Sequence, residues 1–286
     1  GYIGMEFASI FAGLGVDVTV LYRGDQILRG FDLDLRDTVA ETLRDRGVDL
    51  RMDSNIASIE KDGDGFRVVL ANGDCLHASS VMAATGRKPN TKGLGLEDVG
   101  VKLGSNGKVI VDAFSKTSAD NIYAVGDVTD RANLTPVAIR EGTAFVETVF
   151  EGRPKAMDYS FIPTAVFTEP EIGTVGLSED VAREKHQVDI YRTSFRPMRA
   201  TISGRGETVF MKLVVDAETD KVLGIHMVGP DAAEVVQMAA IPLRLRATKA
   251  DFDSTMALHP SMAEEFVTLR QKWEPPIPIK GSDAAA

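Results

Sequence analysis

The sequence predicts an α/β protein that passes into an α+β C-terminal region, and three observations carry that prediction. Helix-like and strand-like apolar periods alternate through the first fifty residues, the pattern of a parallel sheet with crossover helices. Paired turn sequences, Asp62-Gly63-Asp64-Gly65 and Asn72-Gly73, then separate short strand-like runs. Near Asp158 the composition shifts again, and Pro163, Pro170 and Pro197 punctuate segments that suit an antiparallel sheet.

Taken in order, Ile3, Phe7, Ile10, Phe11 and Leu14 share one face of a predicted helix, which Gly15 is placed to end with a left-handed cap. Val16 to Leu21 reads as a short buried strand. A second amphipathic helix turns Leu35, Val39 and Leu43 inward and stops at Gly47. Strands are expected at Phe66 to Leu70 and Ser79 to Ala84, and a second α/β stretch from about Gly86 to Gly152. Helices are expected again at Ala232 to Leu245 and Ser261 to Gln271. The stretch from Glu274 to Ala286 has no periodicity and reads as loosely attached.

Composition narrows the function. At roughly 100–200 residues per domain, 286 residues make two or three domains. A formal charge of −10 argues against a nucleic-acid partner, and no apolar run approaches the ~20 residues that span a bilayer. No secretory signal is read, although a chain that does not begin with Met gives that little weight; a cytoplasmic protein is expected. Cys75 is the only cysteine, so the chain cannot form a disulfide within itself, and that residue reads as a structural thiol. No metal site is expected.

Four constellations carry chemistry. Gly1 and Gly4 match the second and third glycines of the G-x-G-x-x-G dinucleotide fingerprint, with the first glycine and its strand expected upstream of residue 1. At the end of the following strand, Tyr22 stands where an NAD-binding fold carries an acid for the ribose hydroxyl, and Arg23 and Arg29 follow. Two guanidinium groups without a carboxylate suit the 2′-phosphate of NADPH, though two solvated loop arginines would read the same. Tyr123 to Asp127 is an apolar strand ending in Gly-Asp, which puts the Asp127 carboxylate at a sheet edge where α/β folds bind ligands. Leu134-Thr135-Pro136 then opens a helix whose N-terminus offers free N–H groups and partial positive charge; a plain Thr cap with Pro at the first helical position is compatible with that role. Finally, His259-Pro260 precedes Glu264 at a predicted helix start, an arrangement in which a carboxylate fixes the imidazole tautomer for general acid/base work.

The run LYRGDQILRGFD, Leu21 to Asp32, is similar to the segment after that strand in glutathione reductases and trypanothione reductases. Further matches, in order, are Ala84-Thr85-Gly86-Arg87 with Pro89-Asn90-Thr91, Asn121 to Asp127, Leu134 to Ala138, and His259 to Glu265. Over residues 1 to about 270 the chain therefore resembles the glutathione reductase family of FAD-containing disulfide reductases.

That resemblance implies the remainder of a Rossmann-like NADPH domain (1–85), part of an FAD domain (86–157), an α+β dimerisation domain (158–270) and a tail (271–286). It implies FAD and NADPH as cofactors, glutathione disulfide as substrate and a homodimer. Gly1, Tyr2, Ile3, Glu6, Arg23 and Arg29 would belong to the nucleotide side, Tyr2 gating the nicotinamide pocket and Glu6 pairing with a lysine beside the flavin. Gly86, Arg87 and Asp127 would contact FAD, Asp127 through the ribityl chain, and the helix start at Leu134 and Thr135 would point at the flavin. His259, with Glu264, would protonate the departing thiolate in the other subunit's site. The resemblance places the redox-active cysteine pair upstream, so the chain alone is expected to be inactive. One departure is Thr143, where many glutathione reductases carry an arginine near the substrate carboxylates. A trypanothione reductase, another disulfide reductase, or a non-catalytic nucleotide-binding or dimerising fragment are the alternatives. An NAD-dependent dihydrolipoamide dehydrogenase fits less well, because it should carry an acid at Tyr22.

Overall fold

Helix α1 (Tyr2–Gly13) and helix α2 (Leu33–Asp45) both end at the predicted glycines in the computed structural model, which describes residues 1–204 and 206–275. Each closes with a pair of back-bonds: Val16 N–H to Phe11 C=O and Gly15 N–H to Ala12 C=O after α1, Val48 N–H to Leu43 C=O and Gly47 N–H to Arg44 C=O after α2. Gly15 (φ +83°) and Gly47 (φ +88°) take the left-handed conformation that this closure needs. In α2 the predicted inward face is right: Leu35, Val39 and Leu43 are fully buried. In α1 it is not. Met5, Ala8 and Ser9 are buried, whereas Phe7, Ile10, Phe11 and Leu14 are exposed. The helix is held by its other side, Glu6 accepting the Phe167 N–H and Ser9 the Glu169 N–H, and no described strand covers the apolar face.

Strand β1 (Thr19–Leu21) pairs in parallel with β2 (Asp49–Arg51), as the alternating pattern predicts. It is shorter and less covered than the run Val16 to Leu21 suggested, because the pairing begins only where Asp49 N–H reaches Val18 C=O. Strands β3 (Ile56–Asp62), β4 (Gly65–Leu70) and β5 (Cys75–Ala78) form an antiparallel meander on the predicted turns. The strand expected at Ser79 to Ala84 does not form. The register sets Val69 opposite Cys75 and Phe66 opposite Ala78, so residues beyond 78 have run past the start of β4 and have no ladder to join.

The antiparallel sheet forecast from the later prolines has five strands, β6 (Thr164–Val166), β7 (Ile172–Gly176), β8 (Val188–Phe195), β9 (Val209–Asp216) and β10 (Val222–Val228), ordered β6-β7-β10-β9-β8. Every residue of β9 and β10 is buried, because both faces are covered. Met211, Leu213, Ile225 and Met227 pack under α6 (Ala232–Arg244), while Phe210 and Val228 share a cluster with Leu35 and Val39 of α2. Burial on both faces explains the nearly unbroken apolar run. Three further helices are short: α4 (Glu179–Arg183), α5 (Met198–Ser203) and α7 (Lys249–Ser254). The helix expected over Ser261 to Gln271 shrinks to α8 (Glu265–Thr268), since Leu269 (ψ 85°) leaves helical geometry.

Contacts gather residues 1–84 and the chain from Ser160 into one unit and Thr85–Tyr159 into another. The second unit is irregular up to a 3-10 turn, Gly126–Thr129, and then forms helix α3 (Thr135–Val149). The predicted strand ending at Asp127 is extended at Val125 (φ −133°, ψ 159°) but makes only an isolated bridge, Lys116 with Tyr123. Among the described residues no helix is long and apolar enough to cross a membrane. From residue 276 onward, the expectation for the C-terminal stretch lies outside the described residues.

Candidate cofactor and proton-transfer sites

The first-unit candidates start at the N-terminus of α1. Tyr2 and Ile3 form its first turn, and no side chain caps it. An uncapped helix start presents donors and partial positive charge to an anion. Arg23 and Arg29 are both exposed. The loop between β1 and α2 that bears both arginines is pinned from behind, Arg36 donating to Ile27 C=O at 2.7 Å and Gln26 C=O at 2.9 Å. Glu6, expected beside a lysine, accepts the Phe167 N–H at 2.9 Å.

The loop ends at an ionic cluster that sequence reading did not single out. Asp32, the N-cap of α2, accepts the Asp34 N–H at 3.1 Å and the Glu179 N–H at 2.9 Å. The buried Lys212 ammonium, on β9, reaches Asp32 at 2.9 Å, Asp34 at 2.6 Å and Glu179 at 2.7 Å. Burial works to lower the Lys212 pKa, but the Asp32 charge and hydrogen bonds to three carboxylates outweigh it and leave the ammonium above its usual value. Burial likewise raises Asp32, and positive charge at His226 or Lys212 pulls it down, for a net lowering. His226 is fully buried and its pKa is lowered by desolvation. It sits in the neutral form between Thr174 Oγ1 (2.7 Å) and Leu177 C=O (3.0 Å), so Lys212 is the cation that keeps Asp32 ionised. His77 and His186 pair with Asp62 and Asp216. Cys75 is exposed, its sulfur 3.3 Å from the Arg67 guanidinium.

His259 and Glu264 do meet. Nδ1 lies 3.0 and 3.2 Å from the two carboxylate oxygens. A carboxylate on Nδ1 fixes the proton there and leaves Nε2 free to take or give one. The local structure differs from the predicted helix start: His259 lies in a bend before Pro260, and Glu264 itself is the N-cap of α8. Ser261 braces the carboxylate, its N–H donating to Oε1 at 3.3 Å. The imidazole is 74% exposed while Glu264 is 16% exposed, so the base is presented outward on a partly buried anchor. Met256 and Leu258 beside it are exposed apolar side chains.

In the second unit, Gly86 and Arg87 are exposed, and Arg87 stands 3.9 Å from the Asp127 carboxylate, which is half exposed on the 3-10 turn. At α3 the N-cap is Leu134 and no side chain caps the helix, so the simple Thr-cap explanation is corrected: Thr135 is the first helical residue and Pro136 the second. The least expected residue here is Glu141, on α3 and 1% exposed. It accepts the Gly126 N–H at 2.6 Å, the Tyr159 hydroxyl at 2.5 Å and the Arg131 guanidinium at 3.0 Å. Burial and that carboxylate push the Tyr159 pKa up to about 12. No local signal marks Glu141, because a glutamate four residues after Val137 is ordinary helix sequence.

The sequence profile of the family described as pyridine nucleotide-disulphide oxidoreductase matches residues 1–142, and that of its dimerisation domain matches residues 162–270. The chain belongs to the pyridine nucleotide-disulphide oxidoreductase family. It is 52% identical over 273 residues to the glutathione reductase of Burkholderia cepacia, covering 95% of this chain and 61% of that protein. With the chloroplastic/mitochondrial glutathione reductase of Pisum sativum it shares 50% over 272 residues, 94% of this chain and 49% of the other. Among solved structures it is similar to the HOCl-induced flavoprotein disulfide reductase of Escherichia coli, with a TM-score of 0.85 at 29% identity, over 94% of this chain and 62% of that one. The chain thus spans about half to three fifths of the length of these oxidoreductases.

Proposed function

We propose that this chain is the nucleotide-, flavin- and dimer-bearing part of an NADPH-dependent disulfide reductase acting on glutathione disulfide, with the redox-active cysteine pair carried outside it. The observation that carries the reading is the His259–Glu264 pair, presented outward from the segment that matches a dimerisation domain. It is joined by two exposed arginines on the loop after β1, by an uncapped helix start at Tyr2, and by about 50% identity to glutathione reductases. The domain division proposed is 1–85 for NADPH, 86–157 for FAD and 158–270 for dimerisation.

The residues present fit both cofactors. Gly1, Tyr2, Ile3 and Gly4 would take the NADPH pyrophosphate on the α1 N-terminus, and Arg23 and Arg29 the 2′-phosphate by charge-assisted hydrogen bonds. Glu6 and Tyr2 would lie on the nicotinamide side. For FAD, Gly86, Arg87 and Asp127 offer one edge and the uncapped start of α3 at Leu134 and Thr135 another. Bound FAD would supply the electron relay between NADPH and the disulfide. Glu264 holds the Nδ1 proton of His259, so Nε2 would first take up a proton and then, from the imidazolium that Glu264 stabilises, give it to the thiolate released from the substrate. Tight exclusion of water around so exposed an imidazole needs a second surface, and the apolar Met256 and Leu258 suit a homodimer partner. Cytoplasmic residence is proposed with it.

The test uses the full-length protein. NADPH should be oxidised in the presence of glutathione disulfide, with NADH a poor substitute. His259→Ala should slow the disulfide half-reaction by about 10²–10⁴-fold while NADPH still bleaches the flavin. Loss of both half-reactions together, or no turnover of glutathione disulfide by the wild type, overturns the proposal. A parallel assay with trypanothione disulfide addresses the one specific reason for a second substrate: Thr143 bonds back to Ile139 C=O at 3.1 Å and brings no cation to that helix face.

A further inference from the structure

We infer that Glu141 is a positioning residue that sets the turn bearing Asp127 in register with the start of α3, so that FAD meets a preformed site. The inference rests on the FAD reading above. A carboxylate taken out of water is costly unless its acceptor sites are filled. Glu141 is 1% exposed, and its two oxygens take three donors: Gly126 N–H at 2.6 Å on Oε2, and the Tyr159 hydroxyl at 2.5 Å with the Arg131 guanidinium at 3.0 Å on Oε1. The bond to Gly126 is the informative one, because the next residue is Asp127.

Gly126 cannot move freely. Its φ of +73° lies in the left-handed region, and a Cβ there would stand 3.1 Å from the Ala138 Cβ, which is also on α3. The turn is therefore seated directly on the helix, with the Glu141 carboxylate as its anchor. A second path closes a ring. Gly126 C=O accepts from Thr129 Oγ1 at 2.8 Å, and Thr129 Oγ1 accepts from Arg131 Nε at 3.2 Å. The guanidinium then returns to Glu141. Asp127 projects from this ring, half exposed, without being part of it.

The chemistry of the ring explains why a charge is needed. An anionic acceptor makes the shorter, stronger hydrogen bond to a backbone N–H and simultaneously neutralises Arg131, which is itself only 22% exposed on its side chain. A glutamine would fill the same volume and still accept from Gly126, but it would leave the arginine without its counter-ion and offer an N–H2 to one of the donors. The turn would then hold Asp127 less tightly relative to the uncapped helix start. Preorganisation lost in this way is read as weaker binding rather than as a different fold.

The experiment compares wild-type and Glu141→Gln full-length protein by FAD dissociation, flavin visible spectrum and melting temperature. The expected result is a ~10-fold or greater rise in the FAD dissociation constant with an altered flavin absorption envelope. A Glu141→Gln protein that melts earlier yet binds FAD with wild-type affinity and spectrum shows a merely structural role and overturns the inference. If that variant does not fold, Thr129→Val breaks the ring while sparing the ion pair. FAD weakened about 3-fold or more supports the inference, and unchanged affinity overturns it. Wild-type protein that binds no flavin at all would instead remove the cofactor reading on which the inference stands.

Discussion

Lys212→Met is the perturbation whose consequence the structure defines most closely. The substitution keeps much of the volume on β9 and removes one buried charge that faces three carboxylates at 2.6–2.9 Å. Two of the three keep a cation: Asp34 remains paired with Arg192, and Glu179 with Arg183 at 2.7 Å. Both are also partly exposed, at 25% and 22%. Asp32 is fully buried and keeps only two backbone N–H donors. One orphaned buried carboxylate therefore dominates, placing the loss at the lower end of the ~3–5 kcal/mol typical of a broken buried pair. For a unit of this size, ~3 kcal/mol lowers the melting temperature by about 6–12 °C. Thermal denaturation followed by circular dichroism reads it. Adding Asp32→Asn removes the stranded charge and should recover part of the loss, so the pair is strongly non-additive. The pH dependence has a definite sign. In the wild type the lowered Asp32 pKa contributes stability above its unfolded value near 3.8 and loses it on acidification below that, while the raised Lys212 pKa contributes below its unfolded value near 10.5 and loses it above. In Lys212→Met the stranded Asp32 takes up a proton more readily, so the deficit narrows as the pH falls. A deficit under about 1 kcal/mol, or additive losses in the double variant, refutes the reasoning.

Replacing Arg23 and Arg29 together by uncharged residues should raise the NADPH KM by about 100-fold or more, at ~1.5–3 kcal/mol per charge-assisted contact, and leave NADH use nearly unchanged; equal losses with both nucleotides would sink the phosphate assignment. His226, buried with a lowered pKa, makes the fold bind fewer protons than the unfolded chain below pH 6.5, so melting temperature should decline from pH 7 toward 5. His226→Gln should flatten that slope, and an unchanged slope would show that another group is responsible.

What could be read from the sequence was what neighbouring residues decide among themselves. The caps at Gly15 and Gly47, the inward face of α2 and the turns at Gly63 and Gly73 depend on short runs of consecutive residues, and each has a local chemical signature. The pairing of His259 with Glu264 is also local, five residues apart, even though the helix expected to carry it is displaced. The misplaced strand at Ser79 to Ala84 marks the boundary of this kind of reading. Its composition suits a strand, but a strand needs an edge, and the register of β4 had already spent its edge on Cys75–Ala78.

The same reasoning explains why the two ionic clusters were invisible. Lys212 meets Asp32 across 180 residues of chain, and Glu141 meets Gly126 across 15. A lysine inside the strand VFMKLVVD reads as a lapse in an apolar run, and only the packing of α2 against that sheet turns it into the counter-ion of a helix cap. A glutamate in the second turn of α3 reads as solvent-facing until the left-handed turn at Gly126 brings a backbone N–H to it. In both cases a buried charge, Lys212 or Glu141, depends on distant partners that its own charge holds in place. Such mutual dependence has no signature in either residue alone. It is also why substitution of either acid or base in these clusters should be felt at a distance, Lys212 at the loop bearing Arg23 and Arg29, and Glu141 at Asp127, rather than at the side chain replaced.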